Sequence, residues 1–586
     1  MTQGTVNRPP DGQLRLSQVL MSFGPGSMLD LPETSVLIGG LDSWKPRGRR
    51  LYEERLEQRL CEMLDISALT LHEPPIDLGE TYGPQTGIDA FLFPLWFLGM
   101  IDMDWQGYRS RPLIPFDRLV KGNYLGEDRK SYHVVPVRFV QACLKGHISD
   151  VDWYAFVRQD NGADRTGPLW LDEGGGGNDF SDIYVRCGKT QKRRPLSEAM
   201  VPNAFVLGRC QGRKPWLGPR VYDKCEQPNR LLTRSASNAY FSQVMSAISI
   251  PDTQVKLREA VDQVWEDFLL YAEDLRDVTK ERRREKVRYA IEGFTDEEVW
   301  AEINRRKNPT PPPTRKIKEA EIESLLAAPQ GDSPMDPGGD FYARARTNVS
   351  FPNVNRIVLV HRLREVLVQI GFTRFEATLP DIDGELDLQV ELAPLSRELT
   401  WLPAAENRGE GVFLSFERQA VDKWLVRPDV QAHGTKIKAG FDLWKSQRSQ
   451  SKMEFPGLPY LMLHSLSHLL ITAVALECGY SASAIRERVY AGDSGYGILL
   501  YTGSSGSEGT LGGLVEIGRS LERHLRRALD MGRLCSNDPV CSQHDPSRKE
   551  EERFLLGPRA MAASSSPRPA ANAATSCSIG RWWSQP

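Results

Sequence analysis

The run RIVLVHRLREVLVQIGF, residues 356–372, decides how the C-terminal half of the chain is read. It is taken as one of that half's two strongest helical patterns, the other being LPYLMLHSLSHLLITAVALECGY, residues 458–480. YGILLYTG, residues 496–503, is the clearest buried strand. Strand-like and helical patterns alternate in this way from 346 to 541, which is expected to form one α/β domain. Upstream, 251–345 is a charged helical segment closed by a Pro/Gly linker, NPTPPPTRK and then PQGDSPMDPGGD, where proline ends the helical pattern. Residues 11–250 hold short mixed elements and five cysteines, Cys61, Cys143, Cys187, Cys210 and Cys225. Residues 542–586 are a charge run followed by Ala/Ser/Pro-rich sequence that cannot build a core and reads as disordered. The expected fold class is α/β or α+β, multidomain, with mixed sheets, flanking helices, a helical middle segment and an irregular C-terminal tail.

Composition sets few limits on partners. With 74 basic and 77 acidic residues, net charge is −3, so any nucleic-acid surface must be a local patch. The polar start lacks the basic and apolar regions of a signal peptide. The most hydrophobic run, AFLFPLWFLGMI at 90–101, is too short to span a bilayer and contains proline. No membrane association is expected. Nine cysteines without an export signal point to reduced thiols or metal ligands in a cytoplasmic protein.

CGKT, residues 187–190, ends like a phosphate loop. The glycine that such a loop needs earlier is Ile183 here, so the amides cannot wrap a phosphate and no ATPase motif is present. GSSGSEGTLGG, residues 503–513, lies between a strand and a helical pattern and can place an anion at a helix N-terminus or simply turn the chain. His464 and His468 stand one helical turn apart, a spacing that lets two imidazoles share a metal, with Glu477, Asp493 or Glu508 as further donors. Core or interface histidines are the competing reading, since the flanking sequence is strongly apolar.

Cys143, Cys187, Cys210 and Cys225 sit in polar, turn-like contexts and can supply one structural zinc site, although none forms a CxxC knuckle. Cys61 and Cys478 read as buried small hydrophobes. Cys535 and Cys541, in RLCSNDPVC, look like half of a second zinc site. Basic and aromatic residues interleave at Lys189, Lys192, Arg193, Arg194, Arg213, Lys214, Trp216 and Arg220. Such a cluster attracts phosphates, and a tryptophan can stack on an unpaired base; a solvated basic face is the alternative.

Several strings taken together resemble the DrmB family of the bacterial DISARM anti-phage system. They are SQVLMSFGPGSMLDLPETSVLIGGLDSW (17–44), VPVRFVQACLKGHISDVDW (135–153), GRKPWLG (212–218), RSASNAYFSQVMSAISIP (234–251), RIVLVHRLREVLVQIGFTRF, AENRGEGVFLSF and GILLYTGSSGSEGTLGGLV. The last resembles a C-terminal domain also fused to some superfamily 2 helicases. The resemblance runs from about residue 14 to 541. It implies a non-catalytic partner subunit of a DrmA-like superfamily 2 helicase/ATPase, contributing to DNA binding in antiviral defence. It supplies no catalytic residue. The rival reading is a metal-dependent nuclease or hydrolase using His464, His468 and an acid such as Asp493.

The tail departs from this pattern. In relatives, a CSSDPVC-like turn is followed by ACHxC and ETSCExxNxxLDR segments, which resemble the rest of a four-cysteine zinc site. Here Cys535 and Cys541 match the first pair and the remainder is missing. With suitable codons, reading residues 559–563 one base out of phase gives Cys-His-Gly-Cys, and the following sequence approaches the family ending. The tail is therefore read as frame-shifted, and Cys577 is not recruited as a ligand. Resequencing the gene is expected to reveal the displaced frame; an unbroken open frame through the present tail would refute it.

Overall fold

The computed structural model describes residues 16–533, apart from 33, 77–86, 160–164, 175–178, 202–204, 251–254, 308–315, 332–338, 376–390, 447–453 and 504–511. Mixed sheets, flanking helices and a helical middle make this a multidomain α+β protein. The N-terminal part rests on the short strands Tyr108–Pro115 (β1), Phe139–Ala142 (β2), Leu169–Glu173 (β3), Ile183–Cys187 (β4) and Arg230–Thr233 (β5). β1, β3 and β4 pair in antiparallel succession, whereas β2 and β5 pair in a separate small sheet.

An eight-stranded sheet dominates the rest. It contains Phe241–Ile248 (β6), Val354–Thr373 (β7), Trp401–Phe416 (β8), Ile485–Gly492 (β9) and Gly495–Thr502 (β10), in the antiparallel order β6-β7-β8-β10-β9. β6 precedes residue 250 and β7 follows it, so a division there separates hydrogen-bonded neighbours. Thr70–His72 joins the same sheet beside β8.

The segment 356–372 is thus strand, not helix: it forms most of the 20-residue β7. Val and Ile crowd it, and side chains branched at Cβ favour an extended backbone. The alternation that marks a half-exposed strand is absent because both faces are covered. On one face Val358 and Val360 pack with Ile322 and Leu325 of helix Ile317–Leu326 (α1). On the other, Ile357, with Val412 and Leu414 of β8, packs under helices Leu458–Ala475 (α2), Gly513–Arg519 (α3) and Leu521–Arg533 (α4). By length and composition α2 is the one helix among the described residues able to cross a membrane. Its Leu463, Leu466, Leu470 and Val474 are instead buried in this core. The helices Val255–Asp262, Leu275–Glu281, Glu285–Ala290 and Asp296–Lys307 enclose their own apolar cluster around Val261, Leu269, Val287 and Ile303.

Arg364 and Glu365, adjacent in β7, are buried and paired. Arg364 donates to Glu406 of β8 at 2.9 Å. Glu365 accepts from Arg486 of β9 at 2.6 Å and from Tyr501 of β10 at 2.7 Å. On the α1 face Arg488 makes a two-pronged bond to Glu321 at 2.6 and 2.9 Å. Glu321 also accepts from the Ile248 amide at 2.9 Å, joining β6, α1 and β9.

Replacing one partner of a buried ion pair strands the other's charge, at about 3–5 kcal/mol. Arg488→Met is therefore expected to lower unfolding free energy by about that amount in a denaturant melt. The double variant with Glu321→Met should recover part of the loss; no recovery would show that the pair does not act as a unit.

Candidate metal centre and basic loop

The segment Cys143-Leu144-Lys145-Gly146-His147 turns back on itself just after β2. The Gly146 amide donates to Cys143 O at 3.0 Å and the Cys143 amide to His147 O at 3.1 Å. Gly146 has φ +80°, and a Cβ there would lie 2.6 Å from the Ala393 methyl, so glycine is required twice over. A second hairpin brings Cys210 and Cys225 together. The Cys210 amide donates to Gln227 O at 2.8 Å, and the Lys214 amide to Val221 O at 2.9 Å. The Gly212 amide donates to the Cys210 sulfur at 3.3 Å.

These two turns place Cys143, His147, Cys210 and Cys225 so that their donor atoms all lie within 4.8 Å of one another. The Cys143 and Cys225 sulfurs are 3.9 Å apart, and Cys143 Sγ is 3.4 Å from His147 Nδ1. Zinc bonds of ~2.3 Å to sulfur and ~2.0–2.1 Å to nitrogen give tetrahedral edges of roughly 3.8 Å between sulfurs and roughly 3.5 Å between sulfur and nitrogen. Donor types, number and spacing fit a closed four-ligand zinc site. His147 is buried, and its Nε2 faces the Asp223 carboxylate at 3.6 Å, the outer contact that orients a ligating imidazole. Lys214 pairs with Asp223 in turn.

Hydrogen bonds from Cys210 and then His147 hold the Cys143 thiol well below its usual range, with burial opposing. Facing that thiolate raises Cys210, and burial raises Cys225. A divalent ion would replace these protons and let the sulfurs share one charge centre.

Cys187 does not join this set. It ends β4 inside an apolar core with Trp153 and Phe156, and Arg158 donates to its sulfur at 3.4 Å. His147 stands in its place among the donors. The signal for His147 was present as a Cys-x3-His turn about a glycine. Cys535 and Cys541 lie outside the described residues, as do most of the Gly/Ser loop at 503–513 and Glu508.

The basic cluster divides into inner and outer residues. Trp216 is fully buried, donates to Pro394 O at 2.9 Å and packs edge-on against Phe372, so it cannot stack on a base. Arg193 lies over Tyr184 and Tyr108, at 3.7 and 4.0 Å from the ring centres, and is 3.5 Å from Asp172. Arg194 donates to Glu198 at 2.7 Å and to Phe156 O at 3.0 Å. With Lys214 on Asp223, these three cations serve the fold. Lys189 and Lys192 are exposed but donate to Thr166 at 2.9 Å and Arg158 O at 2.7 Å. Arg213 and Arg220 are exposed on the hairpin between Cys210 and Cys225, with Arg209 and Lys224 beside its ends.

His464 and His468 meet each other and Glu487. Asp493 is outside that group, and Glu477 pairs with Arg523 and Arg527.

Comparison with known proteins adds the following. Residues 15–241 match the family described as Domain of unknown function (DUF8724), a span that contains all four donors of the Cys/His set. Residues 466–549 match the MrfA Zn-binding domain. The DISARM protein DrmB of Bacillus paralicheniformis is 32% identical over 472 residues, covering 77% of this chain and 79% of that protein. The crystal structure of the DUF1998 helicase MrfA bound to DNA is similar over 38% of this chain and 26% of that one, at 12% identity and a TM-score of 0.17, too low to establish a shared fold.

Cys143→Ser and His147→Ala are each expected to remove about one zinc equivalent from the full-length chain and to lower its melting temperature, because structural zinc contributes folding energy directly. Cys187→Ser should leave zinc content unchanged. Elemental analysis of the purified proteins checks both, and zinc loss in the Cys187 variant would return that residue to the ligand set.

Proposed function

Because the chain belongs to the DrmB family of DISARM proteins, we propose that it is a non-catalytic subunit of an anti-phage defence assembly, gripping DNA beside a helicase-like ATPase. The observation that carries the DNA-binding part is the hairpin between Cys210 and Cys225. Candidate metal ligands stand at both of its ends, and Arg213 and Arg220 are exposed along it. A loop braced this way presents cations without the ordering cost that a free loop incurs on binding. Arginines held at the surface attract phosphates whatever the base sequence.

The sequence supplies no phosphate loop, which favours a motor on another chain. The match to the MrfA Zn-binding domain supports a second zinc element at the C-terminal end in the family, of which Cys535 and Cys541 are the half that this chain retains. The defence role, the ATPase partner and the DNA contact all rest on this reading. Copurification of the full-length chain with the products of neighbouring genes, with and without DNA, tests the partnership; recovery of this chain alone under both conditions would reject it.

Arg213→Ala with Arg220→Ala is expected to flatten the dependence of log affinity on log salt by about 2, close to one unit per lost phosphate contact. Binding isotherms on duplex and single-stranded DNA at several salt concentrations check this. An unchanged slope would reject the hairpin as the contact. Stripping the zinc by chelation should weaken binding as well, since the hairpin then loses its fixed ends.

A further inference from the structure

We propose that His464, His468 and Glu487 form a second metal site, holding a divalent transition-metal ion with one coordination position left to water. It is separate from the Cys/His set and from the DNA contact proposed above. The match to the MrfA Zn-binding domain, residues 466–549, takes in His468 and Glu487 but not His464.

The two histidines project from successive turns of α2, and Glu487 reaches them from β9, which packs directly against that helix. Their Nε2 atoms are 3.0 Å apart. Glu487 Oε1 is 2.9 Å from His464 Nε2 and 3.4 Å from His468 Nε2. Three donors at ~2.0–2.2 Å from one ion are separated by roughly 3.0 Å at right angles and roughly 3.4 Å at tetrahedral angles. The observed edges, 2.9, 3.0 and 3.4 Å, match that range to about 0.1 Å.

The same triangle is a poor hydrogen-bonding arrangement. If both rings carry hydrogen on Nε2, two N–H groups oppose each other at 3.0 Å. If only one does, its N–H can donate to the other ring or to Glu487, and the second ring's lone pair is left facing a carboxylate oxygen. A cation at the centre satisfies all three lone pairs at once.

The surroundings hold the donors in place. Ser467 donates to Glu487 Oε2, leaving Oε1 to face the rings. Tyr460 stacks on the His464 ring with centroids 5.8 Å apart. The side chains of His464, His468 and Glu487 keep 12%, 23% and 20% of their surface exposed, so solvent reaches the site. Two imidazoles and a carboxylate with an open position are the donor set of centres that polarise water, unlike the closed four-ligand set at Cys143.

Cobalt titration of the full-length, chelator-stripped chain separates the two sites. Cobalt at the cysteine set gives thiolate-to-metal charge transfer in the near ultraviolet; cobalt at the histidine set does not. Wild type is expected to bind one equivalent that adds no charge transfer, and Glu487→Gln and His468→Gln should each lose it while keeping the charge-transfer band. Cys143→Ser should behave in the opposite way, so failure of the cysteine site and failure of this one are distinguishable. Full cobalt uptake by both variants, or wild-type uptake confined to the thiolate signal, would overturn the proposal. Should either variant fail to fold, diethyl pyrocarbonate labelling of wild type decides. Zinc is expected to protect His464 and His468, and equal labelling with and without zinc would overturn it.

Discussion

A single guanidinium ties the end of the longest described strand to the turn between Cys143 and His147. Arg374, one residue beyond β7, is fully buried. It donates to Gly146 O at 3.0 Å, to Ala239 O at 2.6 Å and to Gly26 O at 2.6 Å. Burial lowers its pKa to about 10, so the group stays charged at neutral pH. Moving such a charge out of water costs several kcal/mol, and the charge-assisted bonds to carbonyls offset that cost. The faces of Phe372 and Trp216, at 4.9 and 6.0 Å, enclose the rest of the group. One of its three acceptors, Gly146, is the turn residue between Cys143 and His147. The geometry of the metal centre is therefore tied to the end of the longest strand.

The charge balance supports the same dependence. With a divalent ion bound, three thiolates and a neutral imidazole would carry one net negative charge. An anionic centre among buried residues needs a nearby cation, and the charge on Cys143 acts on Arg374. Lys145, beside the centre, pairs with Glu391 at 2.5 Å, and Lys214 with Asp223. Arg374 is thus the buried cation available to it. The fold would lose both a junction and an electrostatic partner with this one side chain.

The helical middle, α2, β10 and the region of α3 and α4 were legible in the sequence because their apolar patterns are long or sharply bounded. β7 was not. Its faces are covered by α1 on one side and by α2 and α4 on the other, so the inside–outside alternation of a strand is erased. The adjacent Arg364 and Glu365 look like the polar face of a helix. They are instead buried and point to opposite partners, Glu406 on one hand and Arg486 with Tyr501 on the other. Those partners lie 42 to 136 residues away, beyond any local window.

The metal centre was partly legible: three of its cysteines were singled out, and its histidine was quoted but not counted. Cys187 misled because GKT after it suggests a turn, whereas strand pairing with Leu169 draws it into the core. Interleaved arginines and aromatics were ambiguous for a physical reason. The attraction of a cation for a π face serves a buried stack as well as a base, and Arg193 spends it on Tyr184 and Tyr108. Exposure, not composition, separates the two uses, and on the hairpin between Cys210 and Cys225 it leaves Arg213 and Arg220 at the surface. Their hairpin is continuous through β5 and β6 with the large sheet, and that sheet ends in β9, which carries Glu487. Across the sheet, β7 is joined to β9 by hydrogen-bonded strands and by the Arg364 and Glu365 networks. Glu487 and the Cys143–His147 turn that Arg374 grips are consequently joined through one sheet.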